Sequence, residues 1–174
     1  IAEVAADVAE EFSGPAHNRG IRLAIRGSGT LSAGPAERAP LRTVLGNLVA
    51  NAIRLAPSGS SVGIDWGTVP GWAWVAVTDE GPGLPASHHA RVFERGWRGP
   101  HERHRDTGAG LGLTIARQLT EAQGGQLTVA SLEGAGSTFT AWIPTTPDAD
   151  RQTVVDADGI HPAVAPWEYE SIPV

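Results

Sequence analysis

The 174 residues contain no cysteine, which removes disulfides, thiolate nucleophiles and zinc–thiolate sites together. Methionine is also absent and the chain begins at Ile1, so a piece excised from a longer protein is expected. No run approaches the ~18 consecutive apolar residues that a membrane-spanning helix needs, and the start lacks the charged and apolar regions of a signal peptide. Positive charge is not in excess: the formal net charge is -6. That balance disfavours a nonspecific grip on nucleic acid or an anionic membrane, while phosphate ligands could still meet a local basic patch. There is no internal repeat, and one domain with one core is the expectation for this length at 41% hydrophobic residues.

Hydrophobic spacing divides the chain. Val4, Ala5, Val8 and Phe12 recur at helical intervals within residues 1–18, and IRLAIR at 21–26 alternates as a half-buried strand does. A loop runs from there to Pro40. Leu41, Val44, Leu45, Leu48, Ala52 and Leu55 then mark a helix with Pro40 in its first turn, ended by Pro57 and Gly59. SVGIDW at 61–66 and WAWVAVT at 72–78 predict an antiparallel hairpin around Pro70 and Gly71, in which Trp66 and Trp74 pack in or beside the sheet. Residues 94–107 carry four arginines (Arg95, Arg98, Arg103, Arg105), two histidines (His101, His104) and no apolar periodicity, the pattern of a mobile loop and not a core element. Leu111 to Gln123 predicts a helix stopped by Gly124 and Gly125, and QLTVAS with STFTAWIP, which includes Trp142, a second hairpin. The domain is expected to end at residue 144. Residues 145–174 shift to Pro, Asp, Thr and Val without a period and are expected to form a flexible tail. The fold class is α+β: a two-layer sandwich with two or three helices on one face of a mixed, mainly antiparallel sheet.

Three short motifs carry chemistry. At ~100° per residue, Asn47, Asn51 and Arg54 fall within ~60° on the helix wheel, beside the apolar stripe. Amide oxygens can complete the shell of a magnesium ion already held by phosphates, and a guanidinium can bind phosphate with two hydrogen bonds. The same three residues would equally suit a solvated face. Asp79, in DEGPGLP (79–85), can accept a hydrogen bond from an exocyclic amine such as adenine's, with Gly81 and Gly83 letting backbone approach a flat ring. Asp, Gly, Pro, Gly is also an ordinary turn. GAGLGL (108–113) opens a helix whose amide groups can receive phosphate, with Gly108, Gly110 and Gly112 allowing close approach. It is neither a dinucleotide fingerprint nor a P-loop, since no strand runs into it and no GK[ST] ending follows. The arginines of 94–107 could fold over a triphosphate or simply solubilise a loop. His101 and His104 lack a third metal ligand.

In order and spacing these motifs resemble the ATP-binding domain of bacterial sensor histidine kinases, in the superfamily of gyrase B, the mismatch-repair ATPases and the heat-shock chaperone ATPases. The resemblance covers roughly residues 20–144: LGNLVANAIRLAP looks like the N box, DEGPGLP the first glycine box, VFERGWRG the F box, and TGAGLGLTIARQLTEAQGG the second glycine box. It implies a Bergerat-type fold with ATP and Mg2+ as cofactors. Asn51 would coordinate the ion, Asn47 would support it or its waters, Arg54 would reach a phosphate, and Asp79 would bind the adenine amine. Gly81, Gly83, Gly108, Gly110, Leu111, Gly112 and Leu113 would shape the pocket, and Arg98 would approach the terminal phosphates, making Asn47, Asn51 and Arg98 the catalytic set.

The chain departs from the family at Leu55, where an aromatic residue often flanks the adenine, at Gly96 in place of an F-box aromatic, and at Gln123 in place of a histidine. Efficient ATP hydrolysers in the superfamily carry a glutamate base where this chain has Asn47, whose amide takes no proton at neutral pH. The resemblance therefore implies phosphoryl transfer to a histidine on a separate dimerisation hairpin, with residues 1–18 as the end of a linker helix from it. It further implies a cytoplasmic domain of a homodimeric parent, an inner-membrane sensor with a response regulator as partner. None of the six histidines lies in a suitable helix to be the acceptor. A regulatory nucleotide-binding module without transfer, and a serine kinase that inhibits a sigma factor, are the alternatives.

Overall fold

The structure, a computed structural model, describes residues 1–27, 38–99 and 110–145, together with the backbone of 154–156 and 159–161. The elements run α1 (Ala2–Asn18), β1 (Arg22–Gly27), α2 (Arg38–Leu55), β2 (Ser61–Val69), β3 (Trp72–Asp79), two short 3₁₀ turns (Ala86–His88 and Arg91–Phe93), α3 (Gly112–Ala122), β4 (Gln126–Leu132), β5 (Gly136–Pro144), β6 (Val154–Asp156) and β7 (Gly159–His161). Five strands form one sheet in the order β1-β2-β3-β5-β4. β1 lies parallel to β2, as a connection through α2 allows, and the other neighbours are antiparallel. Both expected hairpins are present, and β3 pairs with β5 to join them.

One sheet face makes the core. Strand alternation directs Val62, Ile64, Val75, Val77, Phe139 and Ala141 toward the helices, where they meet Val4 and Val8 of α1 and Leu41, Leu45, Leu48 and Ile53 of α2, all buried. The polar sides of α1 and α2 face each other across exposed ion pairs, Arg38 with Glu3 and Asp7 and Arg42 with Glu11. Such exposed pairs add little stability.

α2 starts at Arg38, with Pro40 inside its first turn as expected, where a missing amide hydrogen costs nothing. Two differences from the sequence reading have local causes. β2 continues to Val69, because Gly67 leaves room for the Trp74 indole, which lies against it from the neighbouring strand. The segment beyond Pro144 contains the two-stranded ladder β6–β7, with Val154 opposite His161 and Asp156 opposite Gly159. Three-residue strands are too short for alternation to show in sequence.

The α3–β4 junction rests on a tight glycine. Gly124 adopts φ 71, and a Cβ added to Gly125 would lie 2.1 Å from the Trp142 carbonyl oxygen. Gly125→Ala therefore forces α3 and β5 apart and should cost about 2 kcal/mol of stability, measured by chemical denaturation. Gly14→Ala, at a position with open space around the added carbon, is the control and should leave stability unreduced.

Candidate functional site

The C-terminal end of β3, the inner side of α2 and the start of α3 enclose a cavity of about 380 Å³, a volume suited to a small organic ligand. Asn47, Asn51, Arg54 and Leu55 line it from α2, Asp79 from β3, Gly83 from the segment after β3, and Gly110, Leu111, Gly112 and Leu113 from the start of α3. Three motifs whose lining residues run from Asn47 to Leu113 in sequence thus share one space.

Asp79 lines the cavity from the end of β3 and is only 3% exposed. Its Oδ1 accepts a hydrogen bond from the Gly81 amide at 2.8 Å, while its buried Oδ2 has no partner among the described residues. Burial pushes the carboxyl up from 3.8 to about 6, partly offset by the backbone amides of Gly81 and Ser137. The carboxyl is therefore mostly ionised at neutral pH, and it belongs to the cavity lining with one oxygen that no described residue satisfies. Glu80 points elsewhere: hydrogen bonds from the backbone and hydroxyl of Ser61 hold it on the adjacent strand and keep its carboxyl below the usual range.

On α2 the two amides are oriented differently. Asn47 Nδ2 donates to the Thr43 carbonyl at 2.9 Å, which leaves its Oδ1 toward α3, and a Cβ on Gly112 would lie 3.1 Å from that oxygen. Gly112 thereby lets the start of α3 approach Asn47. Asn51 Oδ1 accepts from the Arg54 guanidinium at 2.7 Å, and Arg19 in turn holds the Arg54 carbonyl. α3 has no side-chain cap on its first turn and no acid there, so its amide groups and positive dipole end meet the cavity without a competing carboxylate.

The glycines have more to do than admit a ligand. Gly81 is buried behind Asp79, with Leu55 backbone 3.2 Å from where its Cβ would be, and it does not line the cavity. Gly83, at φ 65, abuts the Leu132 carbonyl, where a Cβ would lie 1.9 Å away, and the Gly134 amide bonds to Pro82. The acid-and-glycine segment is thus fastened to the β4–β5 turn. Gly96, at the F-box departure, takes φ 74 and donates through its amide to the Gly110 carbonyl, tying that box to the second glycine box.

The Arg98 side chain is exposed and stands outside the cavity lining, to which its neighbours Trp97 and Gly99 belong. One expectation needs correction: the 94–107 stretch is not wholly free of core contact. Trp97 is partly buried against the core with its ring 5.6 Å from His88, because a single large apolar residue docks without any periodicity. Gly108, Arg103, Arg105, His101 and His104 lie outside the described residues, and no group of three His, Asp or Glu that could hold a metal occurs among those described. Sequence reasoning also missed Trp97, Ser137 and Phe139 as lining residues. Alternation along β5 was the available signal for the last two, since it puts them on the same face as the core residue Ala141. Phe93 is fixed at the base of this wall by an edge contact to Phe139, the Arg117 guanidinium over its ring, and the Thr114 hydroxyl on its carbonyl.

Residues 36–147 match the family model described as histidine kinase-, DNA gyrase B-, and HSP90-like ATPase. The chain is 41% identical over 114 residues to the sensor-like histidine kinase SenX3 of Mycolicibacterium smegmatis, an alignment covering 65% of this chain and 30% of SenX3. It thus spans less than a third of that relative. Among solved structures it is similar to the mycobacterial sensor histidine kinase MprB, with TM-score 0.71, 26% identity, and coverage of 84% of this chain and 95% of that one. It is also similar to full-length ShkA in complex with AMPPNP, with TM-score 0.70, 30% identity, and coverage of 87% and 32%. Family match, fold and the placement of the boxes around one cavity agree: the chain belongs to the histidine kinase-, DNA gyrase B- and HSP90-like ATPases, as an ATP-binding catalytic domain of the sensor histidine kinase type.

Proposed function

We propose that the cavity binds Mg-ATP and that residues 1–144 act as the catalytic domain of a sensor kinase, passing the γ-phosphate to a histidine on a separate dimerisation domain. The observation that carries this reading is Asp79, a buried carboxylate whose Oδ2 has no partner among the described residues, in the lining of a cavity that also holds two amides, a guanidinium and a helix start. An exocyclic amine supplies the missing donor, and the distance along the cavity then leads the phosphates toward α2 and α3. The nucleotide in the ShkA complex supports the same ligand class.

Each residue has a role that follows from its chemistry. Asp79 accepts from the adenine amine. Gly110, Leu111, Gly112 and Leu113 present the first turn of α3 to phosphate oxygens. Arg54 leaves the Asn51 oxygen and turns to a phosphate, which frees that oxygen for the cation. The described donors are two amide oxygens with no carboxylate cluster, so they fit a magnesium ion that phosphates already share. Magnesium supplies neutralisation of charge as the phosphoryl group transfers. Asn47 supports the cation shell, and its amide, unlike a glutamate, cannot deprotonate water, so the site favours transfer over hydrolysis. Arg98 closes over the terminal phosphates from its exposed position. The acceptor histidine, a homodimeric parent, a response regulator and cytoplasmic placement complete the reading; no helix among the described residues is long and apolar enough to cross a membrane.

Reconstitution tests the transfer step. The chain incubated with γ-labelled ATP and a separately produced dimerisation hairpin should yield acid-labile label on the hairpin's histidine. Tight ATP binding with no label at any ratio would select the regulatory module instead. Asp79→Asn replaces a charged acceptor by an amide and should weaken ATP binding by about 10- to 100-fold, the range for a hydrogen bond to a charged group, while the melting transition persists; calorimetric titration reads the first and a thermal scan the second. The raised carboxyl also fixes a pH dependence. The folded state holds the Asp79 proton more tightly than the unfolded chain, so this group's contribution to ligand-free stability falls as pH rises from 3.8 to about 6 and is level above. ATP affinity should move the opposite way, weakening as pH drops through about 6, and Asp79→Asn should flatten that limb.

A further inference from the structure

A flat heterocycle offers a protein two chemistries, polar groups around its rim and a π face on either side. Asp79 addresses the rim. A face needs an apolar or flat surface, and much of what the cavity supplies is aliphatic, from Leu55, Leu84 and Val92. Among the described residues two aromatic side chains belong to the lining, Phe139 and Trp97. Phe139 is committed to the core, since it is buried and its ring stands edge-on to Phe93 at 6.2 Å and 87°. Trp97 is only partly buried, and its ring meets that of His88 at 5.6 Å and 70°. An edge contact of that kind takes at most one face of the indole.

Trp97 is also mounted on the frame that holds Asp79. The Ser137 amide donates to the Asp79 carboxyl, and the Ser137 hydroxyl shares a hydrogen bond with that of Ser131 at 2.9 Å. The Ser131 hydroxyl in turn accepts from the Leu84 amide at 2.8 Å. Leu84 leads into the short turn where the His88 amide bonds to the Pro85 carbonyl, and the His88 ring then backs Trp97. On the other side the Trp97 carbonyl oxygen lies 3.1 Å from where a Cβ on Gly110 would be, and the adjacent Gly96 amide bonds to the Gly110 carbonyl. The backbone of Trp97 is thus fixed between the carboxylate's supports and the glycines that precede α3.

We propose that Trp97 is the base-stacking residue of this cavity, its indole covering a face of the nucleotide base whose rim Asp79 reads; the assignment rests on the nucleotide reading above. Stacking is indifferent to rim substituents, because every base has a π face. Recognition is therefore divided. Trp97 gives affinity for a base of any kind, Asp79 selects an amine, and the triphosphate is left to α2 and α3.

Calorimetric titration with three ligands separates these roles: ATP, purine riboside triphosphate, which lacks the exocyclic amine, and inorganic tripolyphosphate, which lacks the base. Trp97→Leu should weaken binding of both nucleotides by about 10-fold or more, the range for loss of a base–aromatic stack, and leave tripolyphosphate binding unchanged. Trp97→Phe should recover most of that loss. Because leucine can disturb the segment around it, a second measurement uses the wild-type chain. Saturating ATP should quench its tryptophan emission and tripolyphosphate should not, and Trp97→Phe, which keeps the other five of the six tryptophans, should abolish the quench. Equal weakening of ATP and tripolyphosphate by Trp97→Leu overturns the proposal, since it marks a residue that only braces the segment. So does unchanged ATP affinity in that variant, or ATP quenching that survives Trp97→Phe. A wild-type chain that binds neither nucleotide overturns the nucleotide reading and this one with it, whereas full ATP affinity without Trp97 overturns this one alone.

Discussion

A carboxylate buried at 3% exposure with one oxygen lacking a partner among the described residues is a cost that a bound donor would offset. Asp79 carries that cost at the end of a central strand, where Val75 and Val77 before it are fully packed and leave no freedom to turn outward. The Gly81 amide relieves one oxygen. The other oxygen defines the polarity of the whole cavity: acceptor from β3, guanidinium, amides and helix dipole from α2 and α3. A ligand with an amine at one end and phosphates at the other fits that gradient in one direction only.

Holding this arrangement requires close backbone contacts between segments distant in sequence. Gly83 against Leu132 and the Gly96 amide on the Gly110 carbonyl need the missing side chain or the positive φ, and the bare Gly112 lets α3 sit close to Asn47. The glycine boxes are thus first of all joints. They bring β3, the F-box segment and α3 within reach of α2, and the space left between them is the site. The Gly96 departure becomes intelligible in this light: a residue in the left-handed region there makes the hydrogen bond to Gly110, and the aromatic surface of the box is supplied one position later by Trp97, which lines the cavity.

Much of the fold was legible because its signals are local. Leu41, Val44, Leu45 and Leu48 recur at helical spacing and all prove buried on α2, and both hairpins lie where β-rich runs flank Gly-containing turns. Asn47, Asn51, Arg54 and Asp79 converge on one cavity as their motif order suggested. What was not legible depends on contacts across the sheet or on single residues. Trp97 docks alone, the Arg54–Asn51 hydrogen bond is a choice of rotamers, and β6–β7 is too short to leave a period.

The sequence by itself determined the elements and the chemical inventory, since periodicity records which residue faces inward and a motif records which groups are available. It could not decide whether Asp79 in DEGPGLP was a turn residue or a site, because the same four residue types serve both. The tertiary structure decided that: pairing of β3 with β5 and docking of the glycine segment on the β4–β5 turn bury the carboxyl, raise its proton affinity and place Asp79 in the cavity lining. Burial is a property of what surrounds a residue, and its surroundings here come from strands up to 58 positions away in the chain.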